Sequence, residues 1–282
     1  MPGFDQLRVL ALESRRAQEM AKLIANQDGR PTVAPSMREA PLESNAEGLA
    51  FARTLEAGGF DMVIFLTGVG TRALTRVVET LYSKERFVEL LRQVGVVARG
   101  PKPVAALREM EVPITLAVPE PNTWREILRA LDENREALPL EDRRVAVQEY
   151  GISNPDLLAG LAERGARVTR VPVYQWALPE DSGPLRAAVA ALAEGEFDVV
   201  MFTTSVQVTH LFQVAAEMEV ESAVREALGR VVVASIGPTT SEELREHGLV
   251  ADLEPSHPKM GLLVRETAQR SATLLARKRA AV

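Results

Sequence analysis

Cysteine is missing from all 282 residues, which excludes disulfides, thiolate nucleophiles and cysteine-bound metals. Aromatic residues reach only 5%, so the 46% hydrophobic content rests mainly on Ala, Val and Leu, a composition suited to many short helices packed on strands. His210, His247 and His257 lack HExxH or any paired-ligand spacing, and no metal site is expected from them. Ser235 lies in VASIG, outside a GxSxG elbow, and no P-loop occurs. No apolar run approaches the roughly 18 residues of a membrane span. The stretch MPGFDQLRVLALESRR lacks the basic segment, apolar run and small-residue cleavage site of a signal peptide, so a cytoplasmic protein without a membrane role is expected. A net charge of −6 disfavours nonspecific nucleic-acid binding. Only ATLLARKRAAV is locally basic, and it reads as a helix end whose cations suit the negative pole of the helix dipole. The chain is long enough for one large domain or two modest ones.

What is present is a repeat. FDMVIFLTGVGTRAL (60–74) and FDVVMFTTSVQVTHL (197–211) share seven residues at equivalent positions, 137 residues apart. The same offset links Gly100 and Pro101 of ARGPKPVAALRE to Gly237 and Pro238 of SIGPTTSEELRE. LRVLALESRR and RRVAVQEYG lie 136 apart, as do Gly29 and Gly165, while Pro35 and Pro172 return to 137. Three segments in one order at one spacing indicate an internal duplication.

Continuous apolar runs such as VLAL, MVIF, VVMF and VVVASI suggest strands buried on both faces, and AEGLAFARTLEAG, PVAALREM and TTSEELREHG have helical spacing. Strands are expected near 7–12, 32–36, 61–66, 95–98 and 114–117, and again near 144–148, 167–173, 198–203, 231–236 and 250–253. Strands alternating with helices give an α/β protein with doubly wound parallel sheets. Two proline-bearing stretches, TVAPSMREAPLESN and TRVPVYQWALPEDSGP, fall at equivalent points of the repeats and read as linkers. If both are crossovers, the ends of the chain join into one domain around an inserted central one. Periodicity accommodates this and the simple sequential order equally. The absence of an obvious apolar seam points to a monomer.

Taken together, FDMVIFLTGVG, ARGPKPVAALRE, RVPVYQW, FDVVMFTTSVQV and ASIGPTTSEELREHGL resemble the uroporphyrinogen-III synthase family over nearly the whole chain. The resemblance implies two similar doubly wound domains joined by two extended linkers, one domain being discontinuous: 1–32 with 182–282, and 44–168, with linkers 33–43 and 169–181. It implies a cofactor-free reaction in tetrapyrrole biosynthesis. Linear hydroxymethylbilane loses its terminal hydroxyl as water and closes, with inversion of the last pyrrole, to uroporphyrinogen III. It further implies that the substrate arrives by hand-off from hydroxymethylbilane synthase.

A substrate with eight carboxylates needs many hydrogen-bond donors, which parallel α/β sheets offer where strands end and helices begin. Thr67, Gly68, Val69 and Gly70 are expected to line one wall of a cleft, and Thr203, Thr204, Ser205 and Gln207 the other. Gly100 and Lys102 pair in the same way with Gly237, Thr239 and Thr240. Each has an ordinary alternative: Gly68 and Gly70 as a tight turn or close approach, Thr239 and Thr240 as helix N-caps, Lys102 and Lys259 as surface lysines, Tyr150 as core packing. Arg15 and Arg16 open a helix where a cation is unfavourable, which points to a nearby anion. Tyr174 in RVPVYQW is the expected catalytic residue, a proton donor to the departing hydroxyl that matches the family's tyrosine near the crossover; its alternative is packing on Trp176.

A dinucleotide site competes with this reading, since GVGTRA formally satisfies GxGxxA after a strand. It lacks a strand ending in an acid about 20 residues on, and its second copy, SVQVTH, has no glycine. A noncatalytic two-domain ligand-binding or sensor protein is the rival from another class, although neither a secretion signal nor a helix-turn-helix extension supports it.

Overall fold

The computed structural model describes residues 3–40, 45–149, 151 and 153–280. The first third of the chain runs β1 (Arg8–Ala11), α1 (Ala17–Ala25), β2 (Arg30–Val33), β3 (Arg38–Ala40), α2 (Ala46–Glu56), β4 (Met62–Phe65), α3 (Gly68–Val78), α4 (Lys84–Leu91) and β5 (Gly95–Ala98). It continues through α5 (Pro101–Arg108), β6 (Leu116–Ala117), α6 (Trp124–Glu133), β7 (Arg144–Glu149), α7 (Pro155–Glu163), β8 (Arg167–Pro172) and β9 (Gln175–Ala177). The last part holds α8 (Gly183–Ala193), β10 (Val199–Phe202), α9 (Ser205–Glu217), α10 (Glu221–Arg230), β11 (Val232–Ser235), α11 (Pro238–Glu246) and α12 (Met260–Ala280).

Two compact units result, Met1–Arg38 with Ala177–Val282, and Glu39–Trp176. The first contains a parallel sheet ordered β11-β10-β1-β2, the second a parallel sheet ordered β6-β5-β4-β7-β8. By the repeat offset, β11, β10, β1 and β2 correspond to β5, β4, β7 and β8. Each sheet therefore takes its strands from both repeats. The segments leading between the units contribute β3 and β9, which form a two-stranded sheet. Two expectations are corrected. The run 250–253 gives only an isolated bridge from Leu253 to Ala234, because two prolines and a polar stretch follow it. The run 32–36 is shifted: β2 ends at Val33, and Ser36 leaves the sheet to bond Leu12.

Every residue of β4, β10 and β11 is buried, as a parallel strand covered on both faces requires. In the first unit Leu10, Val200, Phe202 and Val233 pack on one face of the sheet, and Val9, Ala11, Met201 and Val232 on the other. Val63, Phe65 and Ala98 against Met62, Ile64 and Val97 repeat that division in the second. The basic end of α12 is tied down, with Lys278 paired to Asp252 at 2.6 Å and Arg279 to Asp198 at 2.8 Å. Among the described residues no helix is long and apolar enough to cross a membrane.

An ion pair is also duplicated. Arg144 opens β7 and donates to Asp61 from its backbone N–H at 2.8 Å and from Nε at 3.0 Å. Arg8 opens β1 and does the same to Asp198, at 2.9 and 3.1 Å. The hydrogen bonds from Arg144 hold the Asp61 carboxyl down at about 2 from 3.8. A depressed carboxyl pKa contributes stability that is complete above the unfolded value and lost as pH falls through the folded one. Asp61→Asn is therefore expected to destabilise by about 1 kcal/mol above pH 4, a value kept small by solvent screening. Urea titrations of variant and wild type should converge between about pH 3.8 and 2; a constant gap down to pH 2 would contradict the pairing.

His210 secures the departing segment of the first unit. Its Nδ1 lies 2.7 Å from the Ser36 carbonyl oxygen, and because a carbonyl only accepts, Nδ1 carries the proton. Ser14 Oγ accepts the amides of Ser36 and Met37, both at 3.1 Å. Burial disfavours the imidazolium and lowers the His210 pKa, outweighing the bond to Ser36. Unfolding then takes up a proton below about 6.5, so this contribution is complete above that pH and declines as pH falls. His210→Leu is expected to remove that limb from a plot of urea midpoint between pH 5 and 7, while costing about 1–3 kcal/mol at pH 8 for the orphaned carbonyl. An unchanged pH slope would show that His210 does not titrate across this transition.

Candidate active site

In a parallel sheet all strands end on one side, so the turns that follow the strands of each unit lie along one edge. In the Glu39–Trp176 unit, β4 runs into Thr67, whose extended backbone caps α3 and whose Oγ1 accepts the Gly70 amide at 3.0 Å. The Thr67 amide points at Gln148 Oε1, 3.5 Å away at the end of β7. Gln148 is fully buried and donates from Nε2 to the Glu149 carbonyl at 2.6 Å. A Cβ at Gly70 would collide with that carboxamide, and one at Gly68 would sit 2.6 Å from the Lys102 carbonyl oxygen. Neither glycine has positive φ, so close approach explains both. Gly100 does have positive φ (82°); it caps α5, with Pro101 at the first helical position and Lys102 exposed beside it. Arg72 on α3 holds Glu109 through bonds of 2.7 to 3.1 Å, fixing α3 against the end of α5. Two helix N-termini, with their positive dipole ends, thus follow adjacent strands.

The other unit repeats the plan with α9 after β10 and α11 after β11. Gln207 is 1% exposed, and its carboxamide closes on Thr203: Oε1 accepts the Thr203 amide at 2.7 Å and Nε2 donates to Thr203 Oγ1 at 2.8 Å. Thr203 Oγ1 donates in turn to Glu13 Oε2 at 2.6 Å. Thr204, partly exposed and extended, occupies the N-cap position of α9 without a side-chain capping bond, and Ser205 begins the helix. At α11 the N-cap is Gly237, so Thr239 and Thr240 lie inside the first turn and do not cap it. Thr240 is buried, Thr239 partly exposed. Arg16 caps α1 and pairs with Glu19 at 2.6 Å, so the anion that a cation at this helix start calls for comes from the helix itself. Arg15 is exposed in the turn before it, and Lys259 is exposed at the start of α12.

These contacts explain why the glycine at position 70 is not duplicated. Position 70 corresponds to position 207. In one unit a buried glutamine reaches the strand end from β7, and position 70 must be glycine to admit it. In the other the glutamine stands at that helical position itself, and residue 12, which corresponds to Gln148, is leucine.

Tyr174 lies two residues beyond β8, 6% exposed, edge-on to Trp176 with ring centroids 5.4 Å apart. Its carbonyl accepts the Gly151 amide at 3.1 Å. Gly151 has a φ of 60°, and a Cβ there would run into the Trp176 indole. Tyr150 lies outside the described residues. Sequence reasoning missed Glu13, Gln148 and Glu149. Glu149 is 3% exposed and accepts from Ser153 Oγ at 2.6 Å and Arg170 Nε at 2.9 Å. The available signal was the 136-residue alignment, which places Glu13 and Glu149 together at the ends of their strands.

Fold and site define a duplicated α/β protein whose two sheets each end in paired helix N-termini. The chain belongs to the uroporphyrinogen-III synthase family: the family model described as Uroporphyrinogen-III synthase HemD matches residues 18–265. That family is one of lyases in porphyrin biosynthesis. A putative uroporphyrinogen-III synthase of Methanothermobacter thermautotrophicus is 32% identical over 84% of this chain and 87% of its own. The uncharacterized protein YjjA of Bacillus subtilis is also 32% identical, over 93% and 95%. A mutant uroporphyrinogen III synthase from the extremely thermophilic bacterium Thermus thermophilus superposes with a TM-score of 0.72 at 27% identity, covering 95% of this chain and 99% of that one.

Proposed function

We propose that the protein converts hydroxymethylbilane to uroporphyrinogen III. The observation that carries this reading is the family match over residues 18–265, which spans both units and their donor-bearing edges. The N-termini of α3, α5, α9 and α11 suit acetate and propionate groups, since the positive end of a helix dipole attracts carboxylate. Thr67, whose Oγ1 accepts from Gly70, retains its own proton for a substrate oxygen.

The chemistry asks little of the side chains beyond orientation. The pyrrole nitrogen pushes electrons toward the departing hydroxyl, giving an azafulvene, and a proton accompanies the oxygen as water. The substituted carbon of the last ring then attacks, and the binding edges select that carbon by restraining the chain near the reacting geometry. Tyr174 is the proposed proton donor to the leaving hydroxyl. Tyr174→Phe is expected to lower kcat about tenfold, the low end of general acid catalysis, and to leave measurable turnover. Unchanged steady-state turnover would remove Tyr174 from the acid role.

The deciding experiment incubates the protein with freshly made hydroxymethylbilane, oxidises the product and separates the porphyrin isomers. Isomer III above the spontaneous background is expected. Isomer I alone, at the spontaneous rate, would defeat the proposal.

A further inference from the structure

We propose that Glu13 is a positioning residue, which accepts the hydroxyl hydrogen bond of Thr203 so that Thr204 is the side-chain hydroxyl this turn offers to substrate. The inference rests on the synthase reading above and deepens it. A threonine hydroxyl can donate one hydrogen bond, and Thr203 donates it to Glu13 Oε2 at 2.6 Å. The same hydroxyl oxygen receives Gln207 Nε2 at 2.8 Å, and the Thr203 amide is closed off by Gln207 Oε1 at 2.7 Å. Thr203 therefore has no donor left for a carboxylate, although its place at the strand end suggests one. Thr204, next in the chain, makes no capping bond and is partly exposed.

Glu13 is bound from a second side. Its Oε1 accepts the Arg16 amide at 3.1 Å, so one carboxylate links the turn after β1 to the turn after β10. Both bonds go to an ionised acceptor, the stronger class of hydrogen bond. A carboxylate at an edge meant for polyanions is otherwise unfavourable, and its use as an internal acceptor accounts for its presence. The repeat sharpens the point. The equivalent Glu149 is engaged by Ser153 and Arg170, and the turn at Thr67 is served by Gln148. The latch belongs to one unit only, which makes the two edges chemically unequal toward an asymmetric substrate.

The test measures KM and kcat separately with hydroxymethylbilane for Glu13→Ala, Glu13→Gln, Thr203→Val, Thr204→Val and the Glu13→Ala/Thr203→Val pair. Thermal melts and isomer analysis accompany each variant. Thr204→Val should raise KM about tenfold, as for one hydrogen bond to a charged group, with kcat within twofold. Glu13→Ala should also raise KM, and the double variant should match the more affected single variant, because Glu13 acts through Thr203. Glu13→Gln should recover part of the loss, since one amide oxygen can still accept. Additive effects of Glu13→Ala and Thr203→Val, or an unchanged KM in Thr204→Val or Glu13→Ala, would overturn the assignment. If a variant fails to fold, faster amide hydrogen exchange at Thr203 in Glu13→Gln supports the latch, and unchanged exchange overturns it. Isomer I alone from the wild-type protein would defeat the synthase reading itself, a result distinct from any failure confined to variants.

Discussion

Phe202→Ala is expected to cost about 3–5 kcal/mol, as is Phe65→Ala at the equivalent position 137 residues earlier. Both rings are completely buried at the ends of central strands, Phe202 among Leu10, Val208, Leu211 and Val233, and Phe65 among Val63, Leu74, Phe87 and Ala98. Removing either ring loses its transfer free energy and leaves a cavity that a sheet flanked by helices closes only in part. Each ring also backs the turn that follows it, Thr203 in one unit and Thr67 in the other. Urea unfolding of the two variants should show midpoints lowered by comparable amounts. A loss below about 1 kcal/mol at either site would mean that the local core collapses to fill the space.

Gly70→Ala should be the more informative change, because intrinsic propensity and packing oppose each other. Alanine in a helix is favoured over glycine by about 1 kcal/mol. Here its Cβ would collide with the Gln148 carboxamide, which is buried and bonded on both atoms. Overpacking of about 1–3 kcal/mol, added to a displaced hydrogen bond, outweighs the propensity gain. A net loss of about 2 kcal/mol is expected in urea unfolding, accompanied, for the reaction proposed above, by impaired formation of isomer III. The other unit suggests the remedy. Gly70→Gln combined with Gln148→Leu reproduces the other unit's combination of glutamine at 207 and leucine at 12, and should be more stable than Gly70→Ala alone. Wild-type stability in Gly70→Ala would refute the close-approach account.

Much of the fold was legible because the relevant physics is local. MVIF and VVMF announce fully covered strands, since a parallel strand wedged between helices has no face left for polar residues. The turn threonines and the Gly-Pro pairs announce helix starts. The weak point was 250–253, where an apolar tetrapeptide finds a neighbour only at Leu253. The site was legible as a set of places more than as a set of roles. Thr203 follows its strand and Gln207 lies in the first turn of the next helix, yet they bond each other, Thr203 bonds Glu13, and Arg16 bonds Glu19. Such roles depend on partners distant in the chain: 190 residues separate Glu13 from Thr203.

The sequence by itself determined the duplication, the strand and helix segments and the turns that join them, because periodicity, apolar runs and cap residues act within a few positions of one another. Tertiary structure alone decided that β1 pairs with β10 and β4 with β7, so that each sheet draws strands from both repeats. Duplicated strands carry nearly interchangeable apolar faces, and nothing local tells β1 which copy to join. Nonlocal packing makes that choice, and with it settles which glutamine serves each turn and why only one of the two turns needs a glycine.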